Sequence, residues 1–196
     1  MKKILATLLL ALCGTAFAGS GVEFEFERER GTQAPNTFNN TVKVSPFITG
    51  DYGIKYDLMF ETNRDDGTVN GNNNQLQNAL EARIQKLWEV YPGLKLGGRL
   101  GIGEYFNGVD SSGKTIDFGY YTIEPKAEYE LGRGFTALAS WRWRDGFSST
   151  DNYQTRTWKA GVGYDINKNN AVEVKYYQKR GDVDANGVEF AYSVGF

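Results

Sequence analysis

The chain of 196 residues contains no histidine. That removes the side chain that most often serves as a general base near neutral pH. Its single cysteine, Cys13, lies in the N-terminal segment. Beyond residue 18 there is therefore no thiol for a disulfide or a thiolate–zinc site. No long apolar run follows residue 18, which excludes membrane spans made of helices. A basic excess is also missing: 22 Lys and Arg stand against 24 Asp and Glu, for a net charge of −2. This argues against a nucleic-acid partner, which favours a basic surface. No cofactor motif is legible, and Asp65-Asp66-Gly67 lacks the full spacing of a calcium loop. What the chain does have is 24 glycines and 14% aromatic residues at a negative mean hydropathy.

The N-terminus reads as a signal peptide over residues 1–18. Lys2 and Lys3 supply a positive start, Ile4 to Leu12 an apolar run broken only by Thr7, and Ala16-Phe17-Ala18 a small-x-small cleavage signature. The run is shorter than the roughly 20 residues a spanning helix needs. Its removal makes the net charge more negative by the two lysines lost. Residues 19–196 then form one domain sent to an oxidising compartment without disulfide staples.

In that domain the dominant signal is a period of two. Val22, Phe24 and Phe26 share one parity, and Glu23, Glu25, Glu27 and Glu29 the other. Successive strand side chains point to opposite faces, so this segment has one apolar and one acidic face. The pattern returns eight times along the chain and once more at the end, where Val188, Phe190, Tyr192, Val194 and Phe196 alternate with Glu189, Ala191, Ser193 and Gly195. Connections alternate in length. Thr49–Gly53, Tyr91–Gly93, Gly132–Gly134 and Asn167–Asn170 are short and built of turn formers. Most of the others are longer and polar.

These features predict an all-β, antiparallel up-and-down transmembrane barrel, lipid-facing on one parity and polar inside on the other. Ten strands are expected, with eight or twelve as alternatives. A soluble sandwich would also alternate, but it has no reason to place aromatics in two belts. Trp88, Tyr91, Tyr129, Phe135, Tyr164 and Phe196 fall near the short turns. Phe60, Phe106, Trp141, Trp143, Tyr153 and Trp158 fall near the long loops, as interfacial girdles require. Pro46 and Pro125 lie inside strands and each predicts a bulge or a local break. Leu76–Val90 has helix-like composition, but its apolar residues sit mostly on even positions, so a strand is predicted.

Parity sends many charges inward. The candidate selectivity residues are Arg83, Arg99, Arg142, Arg144, Glu81, Glu124 and Glu128. Charges on such a lumen either select solutes by their field or pair across it and plug it. Glu81, Arg83, Arg99, Glu124 and Arg142 count to similar heights above the short turns, where opposite charges on neighbouring strands can pair. Glu124 and Glu128 together could serve acid–base chemistry, but ion pairing in the lumen explains them more simply, and no enzymatic activity is expected. The expected function is a porin-like channel for small hydrophilic, anion-biased solutes such as oligosaccharides. The alternative is a closed barrel that anchors surface loops.

The segment Val188-Glu189-Phe190-Ala191-Tyr192-Ser193-Val194-Gly195-Phe196 resembles the C-terminal signature of outer-membrane barrels of Gram-negative bacteria. The resemblance implies an outer-membrane location, contact with outer-membrane lipid and lipopolysaccharide, and recognition by the barrel-assembly machinery through Tyr192, Val194 and Phe196. Phe135–Arg144 (FTALASWRWR) and Trp158–Tyr177 (WKAGVGYDINKNNAVEVKYY) are similar to the later strands of the oligogalacturonate-specific porins (KdgM type). That second resemblance implies that Arg83, Arg99, Arg142 and Arg144 line the lumen.

Overall fold

The computed structural model describes residues 19–31, 38–65, 76–109, 115–147, 153–182 and 184–196. The proposed leader, and the loop tips that hold Asp66-Gly67 and Asn70–Asn74, lie outside the described residues. Ten strands follow one another: β1 (Gly19–Gly31), β2 (Phe38–Thr49), β3 (Lys55–Asp65), β4 (Leu76–Tyr91), β5 (Leu94–Val109), β6 (Thr115–Gly132), β7 (Phe135–Gly146), β8 (Gln154–Asn167), β9 (Asn170–Gly181) and β10 (Ala185–Gly195). Each pairs antiparallel with its sequence neighbours, and β1 pairs with β10 to close the barrel. Closure gives every strand a partner on both sides, so no row of backbone donors and acceptors is left on an open edge. The seam finishes with the Phe196 N–H donating to the Ser20 carbonyl at 2.8 Å.

Leu76–Val90 is a strand, as its parity requires, and helix-forming composition is overridden. The turns follow from local chemistry. Tyr91-Pro92-Gly93-Leu94 places proline second and glycine third, with Gly93 at φ +78°, the type II pattern that needs a left-handed third residue. That turn type splays strands of a hairpin, and the register shifts beside it, between Glu89 and Tyr91. The two inner prolines break the ladder without a bulge. Between β2 and β3 the pairing is interrupted at Ser45 and Pro46 and resumes in the same register. Between β6 and β7 the same happens at Glu124 and Pro125. A proline has no N–H to give to that ladder, so the loss is local.

The two faces differ as parity predicts. On β1, Phe26 is 45% exposed while its neighbour Glu27 is 4% exposed. Phe24, Val42, Phe60, Ile102, Val174 and Phe190 are all exposed outside the barrel. Glu25, Glu29, Lys43, Asp57, Glu81 and Arg83 are all buried inside it. This inverts a water-soluble protein, whose charged residues are almost never fully buried. It suits a chain whose outer solvent is hydrocarbon. Trp88, Tyr91, Tyr129, Phe135 and Tyr164 are exposed near the short turns and Trp158 near the long loops. Tyr153 departs from the expected outer belt. It packs on Phe118, with ring centroids 4.9 Å apart, in the buried cluster of Ala79, Tyr105, Phe118 and Tyr120.

Candidate functional site: a charged lumen

The interior has two zones. Toward the long loops, β4, β5, β6 and β7 bring together an arginine, a carboxylate and a set of aromatic rings. Arg144 Nη2 donates to Glu81 Oε2 at 2.9 Å. Its Nη1 donates to the Tyr105 hydroxyl, and its guanidinium lies 4.4 Å from the Tyr120 ring centroid. Glu81 also accepts from Tyr120 Oη at 3.0 Å and Thr122 Oγ1 at 2.6 Å. A buried carboxylate with three donors is well compensated for its lost hydration. Gly101 and Gly103 make room for this cap. A Cβ at Gly101 would stand 2.1 Å from Glu81 Oε1, and one at Gly103 would stand 2.6 Å from the Tyr120 ring.

Along the β1 wall, the acidic row is matched carboxylate by carboxylate. Glu23 takes Lys55 at 3.0 Å. Glu25 and Glu27 share Lys43, at 3.5 Å for Glu25. Glu27 is also 3.3 Å from Lys159. Lys159 reaches on to Glu189, which Lys175 holds from its other side at 3.0 Å. Glu29 takes Lys179 at 2.6 Å and the Tyr177 hydroxyl at 3.2 Å. Glu25, Glu27 and Glu189 lie close enough to suggest a cation site, but these lysine nitrogens already neutralise them. Arg83 is equally committed: it meets Asp57 through Nε, donates to Ser45 Oγ at 2.9 Å through Nη2, and lies 4.0 Å from Glu25.

Below the cap, in the half nearer the short turns, is a cavity of about 90 Å³. Arg83, Arg99, Arg142, Glu124 and Glu128 all line it, while Glu81 and Arg144 do not. A wider hollow of about 480 Å³ at the short-turn mouth shares Glu128, Leu138 and Glu173 with it. Besides the paired Lys55, Arg83, Lys159 and Lys175, three cations of the smaller cavity are loosely held. Arg99 is 3.7 Å from Glu124 and donates to Gln85 at 3.2 Å. Lys126 donates to the same Gln85 oxygen at 3.0 Å and is 3.9 Å from Glu128. Arg142 has no carboxylate within 4 Å among the described residues, and its Nε is buried without a hydrogen-bond partner. Lys126 joins the sequence-predicted set. Its parity with Glu124 and Glu128 was the signal that marked it as inward.

The equal-height expectation is met only in part. Arg99 does face Glu124 across β5 and β6. Glu81 lies opposite Gly103 and bonds to Arg144 three strands away. Arg142 pairs with none of them. Tilted, staggered strands put residues of equal count at different places around the cylinder. Tyr192, Val194 and Phe196 lie at the seam. Tyr192 stands opposite Phe24 and Val194 opposite Val22, and Tyr192 Oη donates to Asn170 Oδ1 at 2.7 Å.

An apolar outer surface on a closed antiparallel cylinder with a charged interior defines a transmembrane β-barrel. The comparison of folds agrees. The chain is similar to the β domain of the Bordetella autotransporter BrkA, with a TM-score of 0.60 and 12% sequence identity over 90% of this chain and 98% of that one. It matches more loosely the NanC porin (TM-score 0.49, 10% identity, 88% and 98% covered) and the KdgM porin in complex with disordered oligogalacturonate (TM-score 0.46, 10% identity, 90% and 99% covered). No family model matches the chain, and no curated protein matches its sequence.

Proposed function

We propose that the protein is an outer-membrane, porin-like channel of narrow bore, without enzymatic activity. Small hydrophilic solutes and ions pass through it, with a bias toward anions. One observation carries the reading: the lumen cavity is lined by Arg142, which has no carboxylate within 4 Å among the described residues, and by Arg99 and Lys126, which stand 3.7 and 3.9 Å from theirs. Positive charge left over at a constriction attracts anions by its local field. Arg83 and Arg144 contribute less than the sequence alone suggests, because Asp57 and Glu81 hold them. The cavity of about 90 Å³ has room for several waters and a small ion. An oligosaccharide would need the cross-lumen ion pairs to part. Export by the leader of residues 1–18 and assembly through the C-terminal Tyr192, Val194 and Phe196 belong to the same proposal.

A second reading has its own support. The chain of buried ion pairs from Lys43 through Glu27 and Lys159 to Glu189, with the aromatic cap beyond it, fits a closed barrel that anchors its long loops. Single-channel recording in a planar bilayer separates the two. The channel reading expects small, stable steps with anion preference, reduced in Arg142→Ala and Arg99→Ala. A complete absence of steps sinks it in favour of the closed barrel. Steps whose ion preference survives both substitutions sink only the arginine assignment.

A further inference from the structure

On the outer face, at the long-loop rim of β8, β9, β10 and β1, four arginines share the lipid-facing parity: Arg156, Arg180, Arg28 and Arg30. Arg156 and Arg180 are direct cross-strand partners, and both are exposed. Like charges placed opposite each other on one face of a sheet repel, so an anion between them would remove a cost built into the fold. Among the described residues nothing does so. Arg156 Nη2 donates to Gln154 Oε1 at 3.0 Å. Arg180 Nη1 donates to the Lys179 and Ala185 carbonyls at 2.7 and 3.2 Å and to Asn186 Oδ1 at 3.1 Å. No carboxylate among the described residues lies within 4 Å of either guanidinium.

The position of the pair selects the anion. Trp158 stands two residues along β8 from Arg156 and is 63% exposed. Tyr176 on β9 and Val188 on β10 form the next outward row toward the short turns, and the apolar band of Val162, Val174, Phe190 and Phe26 follows. Arg28 lies in the row of Val188, and its guanidinium sits 4.7 Å from the Phe38 ring centroid. The arginines thus form the upper edge of the apolar belt, at the level where aromatic rings meet headgroups. A free solute has no reason to bind there, whereas a lipid whose acyl chains lie on the apolar band carries its headgroup to that height. Guanidinium forks match phosphate oxygens two at a time.

We propose that Arg156 and Arg180, with Arg28 two outward rows nearer the apolar band, form a binding site for the phosphate of an outer-leaflet glycolipid. This rests on the membrane placement proposed above, with the long loops on the outer side. The test is native mass spectrometry of the full chain in dodecyl maltoside micelles. The probes are lipid A carrying both phosphates, the same lipid A with its phosphates removed, and inorganic phosphate. Insertion is followed separately by heat-modifiable gel mobility. The expected result is preferential binding of the phosphorylated lipid, weakened at least about tenfold in Arg156→Gln/Arg180→Gln, as losing charge-assisted bonds implies. Arg180→Glu sets a carboxylate opposite Arg156. It is expected to keep or raise resistance to unfolding while abolishing the lipid preference, an outcome a merely structural role for Arg180 would not give. Equal binding of the two lipids by an inserted barrel overturns the site. Competition by inorganic phosphate at equal concentration overturns the lipid as its ligand. A chain that stays folded and dispersed without detergent overturns the membrane placement itself, and the site with it.

Discussion

The β1 wall and the β5–β7 wall of the lumen carry charge in opposite ways. On β1, four glutamates in a row each meet a lysine within 3.5 Å, and where Glu23 and Glu25 reach the cavity they arrive already paired. Across the lumen, Arg99, Lys126 and Arg142 face the same cavity with carboxylates no nearer than 3.7 Å. The difference separates two uses of charge in a low-dielectric interior. Paired charges there brace the barrel, because removing one partner leaves the other buried without compensation. Loosely paired charges beside water keep a field that a solute can feel.

The sharpest way to break this comparison is to unpair the braced wall. Lys43→Met leaves Glu25 with only Arg83 at 4.0 Å and Glu27 with only Lys159 at 3.3 Å, and is expected to cost about 3–5 kcal/mol of stability, the range for a broken buried pair, in urea unfolding from micelles. Adding Glu27→Gln to Lys43→Met should recover part of that loss. Next in size is the cap. Gly101→Val forces a branched side chain against Glu81 Oε1 and Thr122 Oγ1, which a Cβ alone would approach to 2.1 and 2.4 Å. About 1–3 kcal/mol is expected, as for other overpacked sites, again read by urea unfolding. The smallest effect on stability belongs to the open wall. Arg142→Ala should change unfolding by no more than about 1 kcal/mol, because it leaves no buried partner unpaired, while shifting the reversal potential in a salt gradient away from anions. A stability loss for Arg142→Ala as large as that for Lys43→Met would erase the distinction between the walls.

Strand number, facing and turns were legible because each is written locally. The glutamate–phenylalanine alternation of β1, and Pro92-Gly93 between β4 and β5, need no knowledge of the rest of the chain. Which lumen charges meet was not legible. Glu81 takes Arg144, 63 residues away, and Glu27 takes Lys159, 132 residues away. Both depend on strand stagger and on the reach of long side chains across a cylinder. The aromatic cap was missed for a smaller reason. Phe118 and Tyr120 share the parity of Thr122 and Glu124, which marks them as inward, but periodicity does not show that inward rings gather on a buried arginine. The outward Arg156–Arg180 pair needed the register of β8 on β9, which periodicity alone does not give.

The central claim is that alternate residues face hydrocarbon and a charged interior. It is most directly tested by fluorescence quenching with bromine-bearing lipid chains. Residues 19–196 contain no cysteine, so single cysteines replacing Phe26, Val162, Val174, Ser45 or Thr157 can each carry one fluorophore in vesicle-inserted protein. Strong quenching at positions 26, 162 and 174, with little at 45 and 157, is the predicted result. Equal quenching at both sets, or quenching at neither, would contradict the barrel described here.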